Sequence, residues 1–115
     1  MSTRLRRWDV VFLRAEDDPT LPGHPAVVLS PDDFLDDPRH PRLNVLLGSK
    51  KIPAERAKAH HFILDEAEGL DHLTLLDCSF VYVARKAAVL RPAGTVSPER
   101  RDGIRRRLRA ALGLG

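Results

Sequence analysis

Cysteine is nearly absent from this 115-residue sequence, and long apolar runs are missing altogether. Cys78 is the single cysteine, so neither an intramolecular disulfide nor a cysteine-based zinc cage can form within the chain. No window approaches the roughly 18 consecutive apolar residues that a transmembrane helix needs. No signal-peptide cleavage pattern follows the basic N-terminus. We therefore expect a cytoplasmic protein that does not cross a membrane.

Lysine and arginine are missing from residues 15–37, where seven acidic residues are concentrated. The chain from Arg85 onwards reverses this balance, with nine basic residues against two acidic ones. Both regions are compatible with ordinary solvated surfaces, since the net charge of the chain is only +3. The alternative is a positive face for an anionic partner, with the acidic residues kept elsewhere.

Short apolar segments separated by turn residues predict a mainly β protein with the strands of a small barrel or sandwich. At this length we expect a single domain, spanning residues 1–115, with one modest core. The segment from Asp32 to Pro41 has two prolines and predicts a loop or one short turn. The predicted strands are 9–13, 26–30, 43–47, 61–64, 73–76, 80–83 and 87–90.

One helix is predicted at the C-terminal end. Ser97 is a preferred N-cap, Pro98 suits the first helical position, and the helix is amphipathic with glycines after its end. Gly103 in its interior costs about 1 kcal/mol relative to alanine, unless it allows close packing on the barrel. The apolar stripe consists of Ile104, Leu108, Ala111 and Leu112. Six arginines cover the remaining surface, which indicates either a lid over the barrel or a face that contacts phosphate or binds a partner.

The segment from Gly23 to Pro31 is an apolar strand with a turn at each end and a histidine, His24, at its entry. It resembles the second strand of the MazF/PemK family of endoribonuclease toxins, in which an arginine directly precedes the proline. Further segments resemble that family in order and spacing across nearly the whole chain. They are 7–11, 45–50, 69–70, 75–77 and 94–99, followed by the helix that ends at 111–114.

The resemblance implies an SH3-like barrel of the PemK/CcdB type, a homodimer, single-stranded RNA as the substrate and an antitoxin peptide as a partner. It implies no metal and no cofactor. Carried over residue by residue, the catalytic positions are His24 and Ser49, while Lys50, Lys51 and Arg7 are the expected RNA-binding residues. A histidine in place of arginine can transfer protons near its ordinary pKa of ~6.5, but it binds phosphate less firmly.

Each of these residues also has a structural interpretation. His24 can be an exposed loop residue, Ser49 a turn residue, and Lys50 a surface charge. His60 and His61 are adjacent, so in a strand they should face opposite sides and form no joint metal site. Asp77 is expected to be structural, and Cys78 is expected to be a small core residue where the family has glutamine.

Two functions follow from the resemblance. The first is a toxin that cleaves RNA without metal through attack of the RNA 2′-hydroxyl on the adjacent phosphate. The second is a non-catalytic member of the same fold that binds RNA or a protein partner, since His24 and Cys78 both depart from the family pattern. A gyrase-inhibiting relative shares the barrel, but no residue favours it.

Overall fold

The computed structural model describes residues 4–14, 23–50 and 52–114. Seven strands and two α-helices follow one another along these residues, with three short 3₁₀ turns between them. The elements are β1 (Asp9–Leu13), β2 (His24–Val28), α1 (Asp32–Asp36), β3 (Arg42–Ser49), β4 (His61–Leu64), β5 (Thr74–Asp77), β6 (Tyr82–Arg85), β7 (Val89–Thr95) and α2 (Pro98–Leu112). The predicted mainly β architecture with a C-terminal helix is confirmed.

The strands form one curled antiparallel sheet, in the order β4-β5-β3-β2-β1-β7. The long strand β3 makes the curl, because its two halves have different neighbours. Its first half pairs with β6, its last two residues pair with β5, and β2 lies along its other edge. The sheet is thus an open half-barrel, with β2 in its centre.

Two apolar clusters cover the two faces of this sheet. The first contains Trp8, Val10, Val27 and Leu46 and continues into Ile104 of α2. The second contains Val11, Ala26, Val28 and Val45. Neighbouring residues of a strand alternate between faces, so β2 is apolar on both sides because both of its faces are covered.

Helix α2 packs on the sheet through its first half. Ile104 is fully buried, and Leu108 lies against the first cluster, whereas Leu112 is exposed. A Cβ atom added at Gly103 would lie 2.6 Å from Cε2 of Phe62 on β4. The glycine therefore allows the helix to approach the sheet closely, as the sequence suggested. Gly113, with φ of 67°, ends the helix in the left-handed conformation that glycine adopts without strain.

The prediction of a last strand at residues 87–90 was wrong. Residues 86–88 form a 3₁₀ turn, and the strand begins at Val89 and continues through Pro92 to Thr95. Proline is tolerated there because β7 lies at a sheet edge and pairs only with β1 among the described strands. Strand β2 also starts two residues earlier than predicted, so His24 is its first residue. Within the described part of the chain, no helix is long and apolar enough to span a membrane.

Candidate RNA-binding and catalytic site

His24 and Ser49 lie at the same end of the sheet, on neighbouring strands. The β2–β3 pairing places Ala26 opposite Leu47 and Val27 opposite Leu46. Continued by two residues, this register places His24 opposite Ser49. Both residues also belong to the face of the second apolar cluster, since alternation puts His24 with Ala26 and Ser49 with Leu47. The two residues therefore share one end and one face of neighbouring strands.

The two residues differ in exposure. The His24 side chain is exposed and makes no hydrogen bond or ion pair with any described residue, although its main chain pairs with Leu13 of β1. Ser49 is half-buried and has a polar or electrostatic interaction. The main chain holds Ser49 in place, because Ser49 pairs with Leu75 of β5 on the other edge of β3. The imidazole thus stands in solvent at the rim, whereas the sheet holds the main chain of Ser49.

The other predicted RNA-binding residues are not part of this pair. Lys50 lines a cavity on the opposite face of the sheet, together with Arg91 of β7. Arg7 lies at the far end of β2, where its Nε donates to the carbonyl of Leu29 at 2.8 Å. Leu29 is five strand residues from His24, a distance of roughly 16 Å. Lys51 lies outside the described residues.

His60 and His61 lie in contact, with ring centroids 4.3 Å apart. The prediction that they face opposite sides was wrong, because His60 precedes β4 and is free of the strand's alternation. Nδ1 of His61 accepts a hydrogen bond from the Lys58 amide at 2.9 Å. Burial lowers the pKa of His61, and the neighbouring His60 lowers it further. The described residues hold no group of three or more candidate ligands that could bind a metal ion.

Asp77 and Cys78 have structural roles, as the sequence analysis expected. Asp77 accepts hydrogen bonds from the amide and the hydroxyl of Ser79. Burial raises the pKa of Asp77, but these two bonds and the nearby histidines outweigh it, and the net shift is downward. Cys78 is fully buried, and burial raises the pKa of its thiol to about 12. A thiol of this kind is not nucleophilic near neutral pH.

Most arginines of α2 stabilise the fold. Arg100 binds the buried carboxylate of Glu68, Arg101 donates to the Val96 carbonyl, and Arg107 donates to the carbonyls of His61 and Gly103. Arg105 pairs with Asp102 and lies over the Trp8 ring.

The sequence analysis treated the six arginines of α2 as one surface and did not predict these contacts. Only Arg106 and Arg109 make no side-chain contact of this kind with the described residues.

The sequence matches no protein-family model and no curated protein. Solved structures, in contrast, match over nearly the whole chain. The Mycobacterium tuberculosis toxin MazF-mt6 superposes with a TM-score of 0.75 at 13% identity, covering 93% of this chain and 98% of the toxin. A mycobacterial endoribonuclease in complex with its cognate antitoxin gives 0.74 at 14% identity, covering 99% and 98% of the two chains. MazE–MazF from Deinococcus radiodurans gives 0.73 at 12% identity, covering 98% and 100%. The chain therefore has the fold of the MazF endoribonuclease toxins.

Proposed function

We propose that this protein is a metal-independent endoribonuclease that cleaves single-stranded RNA, acting as the toxin of a toxin–antitoxin pair in the cytoplasm. The observation that supports the proposal is the location of His24 and Ser49 at the same end of two neighbouring strands. These are the two positions at which the MazF/PemK resemblance places the catalytic groups. The solved structures of the same fold include ribonuclease toxins and their antitoxin complexes.

The proposed reaction needs only the chemistry of these two side chains and of the RNA. His24 takes the proton of a ribose 2′-hydroxyl, and the 2′-oxygen attacks the adjacent phosphorus. The bond from phosphorus to the 5′-oxygen of the next nucleotide breaks, and that oxygen takes a proton from water at the exposed rim. The products are a 2′,3′-cyclic phosphate and a 5′-hydroxyl. Ser49 donates a hydrogen bond to a phosphoryl oxygen as its charge grows.

The exposed position of His24 suits a proton-transfer role on a large substrate. A permanently charged arginine would bind the phosphate in a bidentate manner, whereas an imidazole exchanges protons in the neutral pH range. General acid–base catalysis of this kind contributes about 10²- to 10⁴-fold to a rate. A positioned donor such as the Ser49 hydroxyl contributes about 10²- to 10³-fold.

The proposal includes a single domain over residues 1–115 that forms a homodimer and binds an antitoxin peptide. Four consecutive large apolar residues, from Phe80 to Val83, are exposed, and Phe80 is 75% accessible. Contiguous apolar surface of this kind is typical of protein–protein contacts. Tyr82 and Val83 belong to β6, which pairs only with β3 among the described strands.

The direct test is cleavage of a long unstructured RNA by the purified protein in the presence of EDTA. We expect wild-type protein to cleave, His24→Ala to lose at least about 100-fold in rate, and Ser49→Ala to lose about 10²-fold. His40→Ala is the matched control, since His40 is an exposed histidine between α1 and β3 that stacks on Phe34 of α1. Absence of cleavage by the wild type, or equal rates for His24→Ala and His40→Ala, contradicts the proposal.

The second candidate function is a non-catalytic protein of this fold that binds RNA or a protein. The observation in its favour is that an exposed histidine without a described partner occupies the place of the family's arginine. His24→Arg distinguishes the two. If the protein is inactive and this variant gains ribonuclease activity, the second function holds; if wild type is already as active as the variant, it fails.

A further inference from the structure

A cavity of about 110 Å³ opens beside Pro25 and Lys50, the residues that directly follow His24 and Ser49. Phe12, Pro25 and Leu70 give it apolar walls, while Lys50, Asp71 and Arg91 place two cations and one carboxylate at its surface. Pockets for drug-sized ligands measure about 300–1,000 Å³. This smaller cavity can hold one planar heterocycle but not a folded peptide.

The wall of the cavity provides a stacking surface. The Arg91 guanidinium lies over the Phe12 ring, with Cζ 4.2 Å from the ring centroid. This cation–π contact holds the guanidinium against the Phe12 ring at the cavity. Aromatic rings and guanidinium planes are the surfaces on which unstacked RNA bases are bound. A base is therefore a better occupant than a compact anion, which gains nothing from a flat apolar wall.

The polar groups of the cavity select among the bases. The Asp71 carboxylate accepts hydrogen bonds only, while Lys50 and Arg91 donate only. Guanine satisfies both the acceptor and the donors. Its N1–H and amino group lie side by side and can donate to a carboxylate, while its O6 and N7 accept from lysine or arginine. Adenine presents the N1 acceptor to the carboxylate, and uracil offers a single N–H between two acceptors. Cytosine offers only its amino group.

Lys50 connects the cavity to the proposed catalytic pair. It lines the cavity and directly follows Ser49, the last residue of β3, just as Pro25 lines the cavity and directly follows His24. A nucleic-acid chain whose phosphate lies at His24 and Ser49 can therefore place a neighbouring base on the other side of the strand end. We propose that this cavity binds a guanine base of the RNA next to the cleaved phosphate and so selects the cleavage site. This inference rests on the proposed function.

The first experiment measures binding without requiring catalysis. Amide NMR spectra of the wild type are recorded during titration with guanosine 5′-monophosphate, and separately with the adenosine, cytidine and uridine monophosphates. We expect the strongest shifts at residues 70–74 and 91 with the guanosine nucleotide. Asp71→Asn should weaken its binding by about 5- to 150-fold, the discrimination expected of a bidentate base contact. Arg91→Gln should weaken binding through loss of the stacking surface and a donor.

Asp33→Asn is the matched control, because Asp33 is an exposed aspartate on α1, outside the cavity lining. Circular dichroism checks that each variant is folded. Equal shifts with all four nucleotides, no shifts at the cavity, or the same loss in Asp33→Asn and Asp71→Asn would overturn the inference.

The second experiment separates this inference from the proposed function. The 5′-ends of RNA fragments produced by the wild type and by Asp71→Asn are sequenced. We expect wild-type cuts beside guanines, and cuts without that preference in Asp71→Asn. Guanine binding without any cleavage would refute the ribonuclease proposal and leave the binding site intact. Cleavage with no guanine preference would refute the binding site and leave the ribonuclease proposal intact.

Discussion

The ion pair between Arg100 and Glu68 should contribute more to stability than any other arginine contact of α2. Glu68 is fully buried, and its two carboxylate oxygens accept from Arg100 at 2.8 and 3.1 Å. Arg100 also donates to the Ile63 carbonyl at 2.8 Å. The pair thus joins α2 to β4 and to the 3₁₀ turn at Glu66–Glu68. Its loss should loosen the attachment of the helix to the sheet.

The cost of Arg100→Ala follows from the buried partner that it leaves. An unpaired buried carboxylate costs about 3–5 kcal/mol. The Arg100 side chain is 34% exposed, so water can partly replace it, which favours the lower end of the range. We expect a loss of about 3 kcal/mol, out of a total of about 5–15 kcal/mol for a domain. At about 4 °C per kcal/mol, the melting temperature should fall by about 12 °C.

Urea denaturation followed by circular dichroism measures this loss. Arg106→Ala is the control on the same helix, since Arg106 has no described side-chain partner, and it should change the free energy of unfolding by less than about 0.5 kcal/mol. Glu68→Leu combined with Arg100→Met should recover most of the loss, because it leaves no unpaired buried charge. The reasoning is refuted if Arg100→Ala costs no more than Arg106→Ala.

Three further predictions concern single residues. Because the pKa of His61 in the folded protein lies below its ordinary value, protonation of His61 favours the unfolded chain. The contribution of His61 to the free energy of unfolding is therefore complete above about pH 6.5 and is lost as the pH falls. Melting temperatures at pH 7 and pH 5 should therefore differ less in His61→Gln than in wild type or in His72→Gln, and equal differences would contradict this. The Cys78 thiol, with a pKa of about 12, should react with a disulfide reagent only after unfolding, so rapid labelling of native protein would show that it is accessible. Gly103→Ala should lower the free energy of unfolding by about 1–3 kcal/mol through the clash with Phe62. If alanine instead stabilises the protein, as it does in a helix with no neighbour at that position, the close contact is refuted.

The sequence predicted the fold best where local pattern and burial agree. Strand β1 and strand β4 have the predicted ends, and α2 begins at Pro98 after its predicted N-cap. The last strand was misplaced because Pro92 argues against a strand unless its position at a sheet edge is known. Edge positions depend on the sheet order, and no local pattern encodes that order.

The candidate site was predictable only in part. His24 and Ser49 came from a resemblance between short segments, and their location at the same end of neighbouring strands depends on the β2–β3 register. The cavity beside Lys50 was missed, since Phe12, Asp71 and Arg91 are far apart in sequence and come together only in the folded sheet. The contacts of the α2 arginines were not predicted for the same reason, because the acceptors of Arg100 and Arg107 lie on distant segments.

The central claim is that RNA is cleaved through its own 2′-hydroxyl by the pair His24 and Ser49. Its most direct test uses one RNA that the protein cleaves and the same RNA with a single 2′-deoxynucleotide on the 5′ side of the cut, both in EDTA. The account predicts a 2′,3′-cyclic phosphate on the products of the first RNA and no cut at that bond in the second. Cleavage of the deoxy-substituted bond, or products without the cyclic phosphate, would contradict it.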